Sequence, residues 1–156
     1  MRRGACGILI AAALTASIAG CSLVEQVIPA PLPAPVIPDP PEDPPVLVPG
    51  GTAEENLPFF TETLRAYARS DEPIEGRPII DALAHAGFSK ELMQVSFDRT
   101  KTGLVADNIF VSVRIDDECL IGQFLTGNRD VTAEAAPAVG PDRELCLLGN
   151  TRTIDW

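Results

Sequence analysis

The apolar positions of this chain change their spacing three times, and each change marks a different kind of segment. Residues 5–19 form an apolar run interrupted only by Gly7, Thr15 and Ser17. Residues 22–51 show no period at all. From Ala53 the spacing becomes helical, and from Met93 it becomes alternating, as expected of strands.

The first helical stretch places Ala53, Leu57, Phe60, Leu64 and Tyr67 or Ala68 on one side, which predicts a helix over residues 53–69. Thr52 and Glu55 have the spacing of a capping box, in which each side chain satisfies the other residue's backbone donor. Pro58 leaves two readings open: the helix kinks there, or Asn56 is the true cap and the helix begins later. Residues 70–77 read as a polar loop. Pro78 then suits the first position of a second helix carrying Ile79, Leu83 and Ala86, with Gly87 to end it and Phe88 to make the accompanying apolar contact.

Met93-Gln94-Val95-Ser96-Phe97-Asp98 alternates strictly, and Ile109, Val111, Val113 and Ile115 share one face of a second strand. Asp116-Asp117-Glu118 supplies a turn, and residues 119–124 return antiparallel. Two or three turn residues are equally compatible, so the face occupied by Cys119 stays open. Residues 127–142 read as a long loop with a short helical turn near residues 133–136. Leu145-Cys146-Leu147-Leu148 reads as the last strand, followed by a tail in which Trp156 plugs the core or closes its edge. Glu118-Cys119-Leu120-Ile121-Gly122-Gln123 and Leu145-Cys146-Leu147-Leu148-Gly149-Asn150 look alike, as adjacent bridged strands would. Helices first and strands afterwards predict an α+β fold: two N-terminal helices packed on one face of an antiparallel sheet of about four strands, in a single domain over residues 52–156.

The start of the chain has a different purpose. Arg2 and Arg3, the apolar run and the small residues after it follow the order of a secretory signal over residues 1–20. The run is shorter than the roughly 20 apolar residues of a membrane-spanning helix. Ile18-Ala19-Gly20-Cys21 resembles the lipobox of bacterial lipoproteins, which implies a diacylglyceryl thioether on Cys21 and cleavage before it. Two or more acyl chains, at about 0.8 kcal/mol per buried methylene, give a stable anchor on the extracytoplasmic face of the cell membrane. Residues 21–51 then carry the lipidated cysteine and a spacer with ten prolines and no Lys or Arg. Alternations such as Pro29-Ala30-Pro31-Leu32-Pro33 favour an extended polyproline helix, in which thirty residues reach on the order of 90 Å at most.

Charge narrows the partners. The chain has 12 basic and 22 acidic residues, and loss of Arg2 and Arg3 takes the net charge from −10 to −12. Nucleic acid is disfavoured, because its affinity rests on phosphate neutralisation by Lys and Arg. Acidity on this scale also repels anionic headgroups, so attachment falls to the lipid. Of the four cysteines, Cys6 leaves with the signal and Cys21 takes the lipid. Cys119 and Cys146 remain as an even pair in an oxidising compartment, and a disulfide between them is expected.

Catalytic signatures are sparse. His85 is the one histidine, a poor basis for a zinc site, and is expected to be structural or exposed. A Ser-His-Asp arrangement requires it beside Ser96 or Ser112, neither of which sits in a nucleophile-elbow pattern. Asp116, Asp117 and Glu118 lack the spaced oxygens of a calcium loop. Gly50-Gly51 precedes no phosphate-loop lysine. Neither a metal nor a cofactor is expected. Asp98-Arg99-Thr100-Lys101-Thr102 is the densest polar cluster of the domain, and reads as a partner contact or as a strand exit.

Asn56-Leu57-Pro58-Phe59-Phe60, Ala86-Gly87-Phe88, Met93-Gln94-Val95, Asp98-Arg99-Thr100, Val111-Ser112-Val113-Arg114, Cys119-Leu120-Ile121-Gly122-Gln123 and Thr151-Arg152-Thr153-Ile154-Asp155-Trp156 together resemble an uncharacterised family of actinobacterial lipoproteins with a domain of unknown function. The resemblance covers residues 52–156 and implies a Gram-positive envelope protein with no assigned activity. The reading that follows is a lipid-anchored, non-catalytic binding or interaction module with an envelope-protein or cell-wall partner. The competing reading is a carboxylate-based envelope hydrolase, which requires one of two close acids to be desolvated enough to keep its proton. A deep pocket holding two carboxylates favours the enzyme, whereas an apolar groove or an unpaired sheet edge favours binding.

Overall fold

The computed structural model describes residues 43–156. The signal, the lipid site at Cys21 and the spacer as far as Glu42 lie outside the described residues. Within them, two helices precede a four-stranded antiparallel sheet, an α+β arrangement.

Helix α1 spans Ala53–Ala68, and Thr52 is its cap. Thr52 Oγ1 accepts from the Glu55 amide at 3.2 Å, and Glu55 Oε2 accepts from the Thr52 amide at 2.8 Å. Pro58 lies inside the helix on its outer side, and Asn56 is not the cap. The buried Asn56 side chain instead accepts from the Val48 amide at 2.8 Å and donates to the Val48 carbonyl at 3.0 Å. Its amide group thus pairs with Val48 as a strand backbone would, and Leu47 packs against the core beside it.

Helix α2 spans Gly76–His85 and starts two residues before Pro78. Pro78 still falls in the first turn, where its missing N–H removes no helical bond. Glu75 makes no side-chain cap; Asp98, 22 residues away, accepts from the Gly76 amide at 2.6 Å. Gly87, with φ 110, ends the helix in the left-handed region as expected.

The strands are β1 (Met93–Val95), β2 (Asn108–Ile115), β3 (Glu118–Leu125) and β4 (Val131–Pro137), in spatial order β1-β2-β3-β4. Ile115 pairs with Glu118, so the β2–β3 turn has two residues, and Asp116 takes φ 51 to make it. That register settles the faces. Val111, Val113, Leu120 and Phe124 point at the helices and join Phe60, Leu64, Ile79 and Leu83 in one buried core. Cys119 faces the other way, covered by Ala138 and Cys146.

The fourth strand is not the expected one. Residues 145–148 form no strand: the amides of Cys146 and Leu147 both donate to Gln94 Oε1, at 3.0 and 2.9 Å. A side chain there takes the place of a strand partner, and the segment lies across the outer face of the sheet. The strand is instead β4, in the stretch read as a loop with a helical turn. Pairing with β3 overrides the helical preference of its alanines.

Gly122 lets α1 approach the sheet. A Cβ built there overlaps Leu64 Cδ1 and lies 3.2 Å from Val111 Cγ2, both in the closed core. Gly122→Ala is therefore expected to lower stability by about 1–3 kcal/mol through overpacking, read as an earlier midpoint in urea unfolding. An unchanged midpoint contradicts the tight helix–sheet contact.

Candidate functional site

Disulfide geometry is the first expected feature met. Cys119 and Cys146 are joined, with Cα atoms 5.5 Å apart, and the bridge ties residues 138–147 over the sheet face opposite the helices. Gln94 adds a third hold by donating to the Glu144 carbonyl at 3.1 Å.

The candidate catalytic residues are dispersed. His85 is exposed near the end of α2, its Nδ1 2.6 Å from the Asp81 carbonyl oxygen. Ser96 Oγ accepts from the Phe110 amide at 2.9 Å, and Ser112 is buried under the disulfide segment. Asp116 and Asp117 form the hairpin turn and Glu118 opens β3; the Asp117 carbonyl accepts from the Ala138 amide, and its carboxylate faces Arg143 at 3.4 Å. Among the described residues no group of three His, Cys, Asp or Glu side chains is placed to hold a metal ion.

Two carboxylates, Asp98 and Glu75, share a groove with Arg99 and Arg129. Asp98 is fully engaged, accepting from Gly76 on one oxygen and from Arg152 Nη1 at 2.8 Å on the other. The carboxylates whose affinity for a proton does move become stronger acids. Hydrogen bonding from Lys90 holds Asp81 below the usual range, and the Ser89 hydroxyl does the same for Glu91. A proton donor needs the opposite shift.

Trp156 closes the β1 side of the sheet. Arg152 N–H donates to the Val95 carbonyl at 2.8 Å, bringing the tail along β1. The indole Nε1–H donates to Asp81 Oδ1 at 3.1 Å, and Arg152, Arg77 and Lys90 stand 4.8, 5.3 and 5.7 Å from the ring centroid. The ring is thereby held by structural partners.

Tyr67, the sole tyrosine, anchors the far end of α1. Its hydroxyl donates to the Pro73 carbonyl at 2.6 Å, and its ring meets Phe124 edge to face. Burial, reinforced by Glu72 and Glu75 against the pull of Arg129, pushes its pKa up to about 12. Because the folded value lies above the unfolded value of about 10, the associated stability is complete below pH 10 and is lost as pH rises through 12. The tyrosinate absorbance at 295 nm is expected to titrate near 12 in the folded chain and near 10 in denaturant. Equal midpoints contradict the buried phenol.

The opposite edge of the sheet, at β4, is open. Leu125 N–H donates to Asp130 O and Ala138 N–H to Asp117 O, which fixes the alternation of the ladder. Residues 132, 134 and 136 turn their backbone groups to β3. Val131, Ala133 and Ala135 turn theirs outward, and Pro137, which has no N–H, follows them on the outward side. Beside this row, on the outer face, Phe110, Ile121, Gln123, Thr132 and Glu134 line a depression of about 180 Å3. The edge offers backbone pairing and the depression offers room for one side chain. That is the apparatus of strand addition by an extended peptide. Reading β4 as a loop hid this site from the sequence; the alternation of Thr132, Glu134 and Ala136 against Val131, Ala133 and Ala135 is the signal that carried it.

A family model for a domain of unknown function (DUF6993) matches residues 64–150, more than half of the chain. The chain belongs to this family. The DUF6993 match takes in the sheet, both bridged cysteines and the whole open edge, and begins inside α1. No curated protein and no solved structure matches the chain.

Proposed function

We propose that this chain is a lipid-anchored, extracytoplasmic protein of an actinobacterial cell envelope whose DUF6993 domain binds a polypeptide partner without catalysing a reaction. The anchor reading rests on Ile18-Ala19-Gly20-Cys21 after an apolar run, and on the proline-rich spacer that follows. The binding reading rests on one observation, the outward row of backbone donors and acceptors along β4, with small side chains that let a second strand approach. Natural sheets usually cover or charge such an edge, and here Glu134 and Pro137 alone restrain it.

Ala135→Pro removes an outward donor from an exposed position and leaves the pairing to β3 intact. A photo-crosslinking residue at Thr132 is expected to form a discrete adduct in cells producing the full chain, and Ala135→Pro is expected to abolish it while circular dichroism stays unchanged. An adduct that persists in the folded Ala135→Pro chain overturns the edge as the binding site.

A further inference from the structure

The polar cluster after β1 forms a second surface that the β4 edge does not use. Residues 99–105 make a small hairpin between β1 and β2. Thr100 N–H donates to the Leu104 carbonyl at 2.8 Å, and Gly103, at φ 84, donates to the Thr100 carbonyl at 2.9 Å. Arg99 Nη1 braces the turn through the Gly103 carbonyl at 2.9 Å. Asp98, at its base, is turned inward to cap α2. All seven residues are exposed, and Leu104 and Val105, adjacent in the turn, show 68% and 61% of their surface to solvent. Phe97, just before the hairpin, is half exposed.

The charge here runs against the rest of the chain. Residues 99–105 contain Arg99 and Lys101 and no acid, in a protein of net charge −10. Location adds a second argument. Val48 is bonded to the first half of α1, while Asp43, Pro44 and Pro45 lie along Pro58, Glu62 and Arg65, so the described chain, followed upstream, runs toward the C-terminal end of α1. Arg129 closes that end by donating to the Ala68 carbonyl, and the groove holding Arg129 also holds Arg99 and Val105. The exit of the chain at Asp43 and the basic, apolar hairpin therefore share one end of the domain.

We propose that residues 99–105 dock on an anionic phospholipid surface, with Leu104 and Val105 entering the boundary between headgroups and acyl chains and Arg99 and Lys101 facing the phosphates. The guanidinium of Arg99 keeps donors beyond the one that holds Gly103. Of the acids beside the hairpin, Asp98 is paired with Arg152 and turned to the Gly76 amide and Glu75 shares the groove with Arg129, while repulsion from more distant acids is screened beyond a Debye length of about 8 Å. The inference goes beyond the envelope reading and does not depend on it, because the lipid surface is recognised by the hairpin whether or not Cys21 is acylated.

Hydrogen–deuterium exchange of the full chain on vesicles tests it. Any attachment through residues 1–21 is common to both vesicle types, so the readout is local exchange at residues 99–106, compared between phosphatidylcholine vesicles with and without phosphatidylglycerol. Exchange there is expected to slow on the order of tenfold on the anionic vesicles, to recover at high salt, and to recover in the surface double variant Lys101→Glu, Leu104→Ser with the rest of the domain unchanged. Equal exchange on both vesicle types overturns the proposal. Equal protection by soluble glycerol phosphate without a bilayer also overturns it, by assigning the hairpin to a free anion.

Discussion

Phe60→Ala is expected to cost about 3–5 kcal/mol, the range for truncating a fully buried phenylalanine. Phe60 has no exposed surface, meets Phe88 edge to face with ring centroids 5.8 Å apart, and sits over Gly122 where α1 comes closest to the sheet. The helix cannot sink further to fill the cavity, because Leu64 already touches the sheet at the same glycine. Domains of this size hold about 5–15 kcal/mol in total, so the variant is expected to unfold at a much lower urea concentration with an unchanged slope. A loss below about 1 kcal/mol contradicts the placement of Phe60 at the centre of the core.

Removing the disulfide is expected to cost about 3–4 kcal/mol. Cys119 and Cys146 are 27 residues apart, and the loop they close includes all of β4. In the double variant Cys119→Ala, Cys146→Ala the unfolded chain regains that freedom. Residues 144–147 are then left on the outer face of the sheet by hydrogen bonds, those of Gln94 with residues 144, 146 and 147 and the backbone pairing of Leu145 with Val139. Thermal unfolding of the wild-type chain with and without reductant, beside the double variant, reads the effect. Reductant is expected to lower the midpoint of the wild type to that of the variant and to leave the variant unmoved. Two alkylatable thiols in the unfolded, unreduced domain contradict the bridge.

The parts of the fold legible in the sequence are those whose determinants are local. Thr52 and Glu55 announce α1 because a capping box needs only four residues. The β2–β3 hairpin is legible because its apolar positions alternate over a continuous stretch. Three features were not legible, each for a long-range reason. The cap of α2 comes from Asp98, so the local sequence around Glu75 points two residues too late. Asn56 looks like a helix cap and is used to pair with Val48. β4 carries alanines, a threonine and a glutamate with no large apolar face, and becomes a strand only because β3 is there to pair with. Residues 145–148 fail in the opposite sense: their apolar character suits a strand, but Gln94 and the disulfide take the positions that strand pairing needs. The candidate edge is hidden along with β4, while of the hairpin at residues 99–105 the sequence shows the polar cluster of residues 98–102 and not the exposure of Leu104 and Val105.

The partner proposed for β4 is one met outside the membrane, an address that lipidation of Cys21 is proposed to set. Fractionation of cells producing wild-type and Cys21→Ala chains tests it most directly. The account predicts that the wild type pellets with the membrane and resists high salt, carries an acylated N-terminal cysteine by mass spectrometry, and that Cys21→Ala loses the acyl mass and its firm hold on the membrane. A Cys21→Ala chain that remains in the membrane as firmly as the wild type contradicts it.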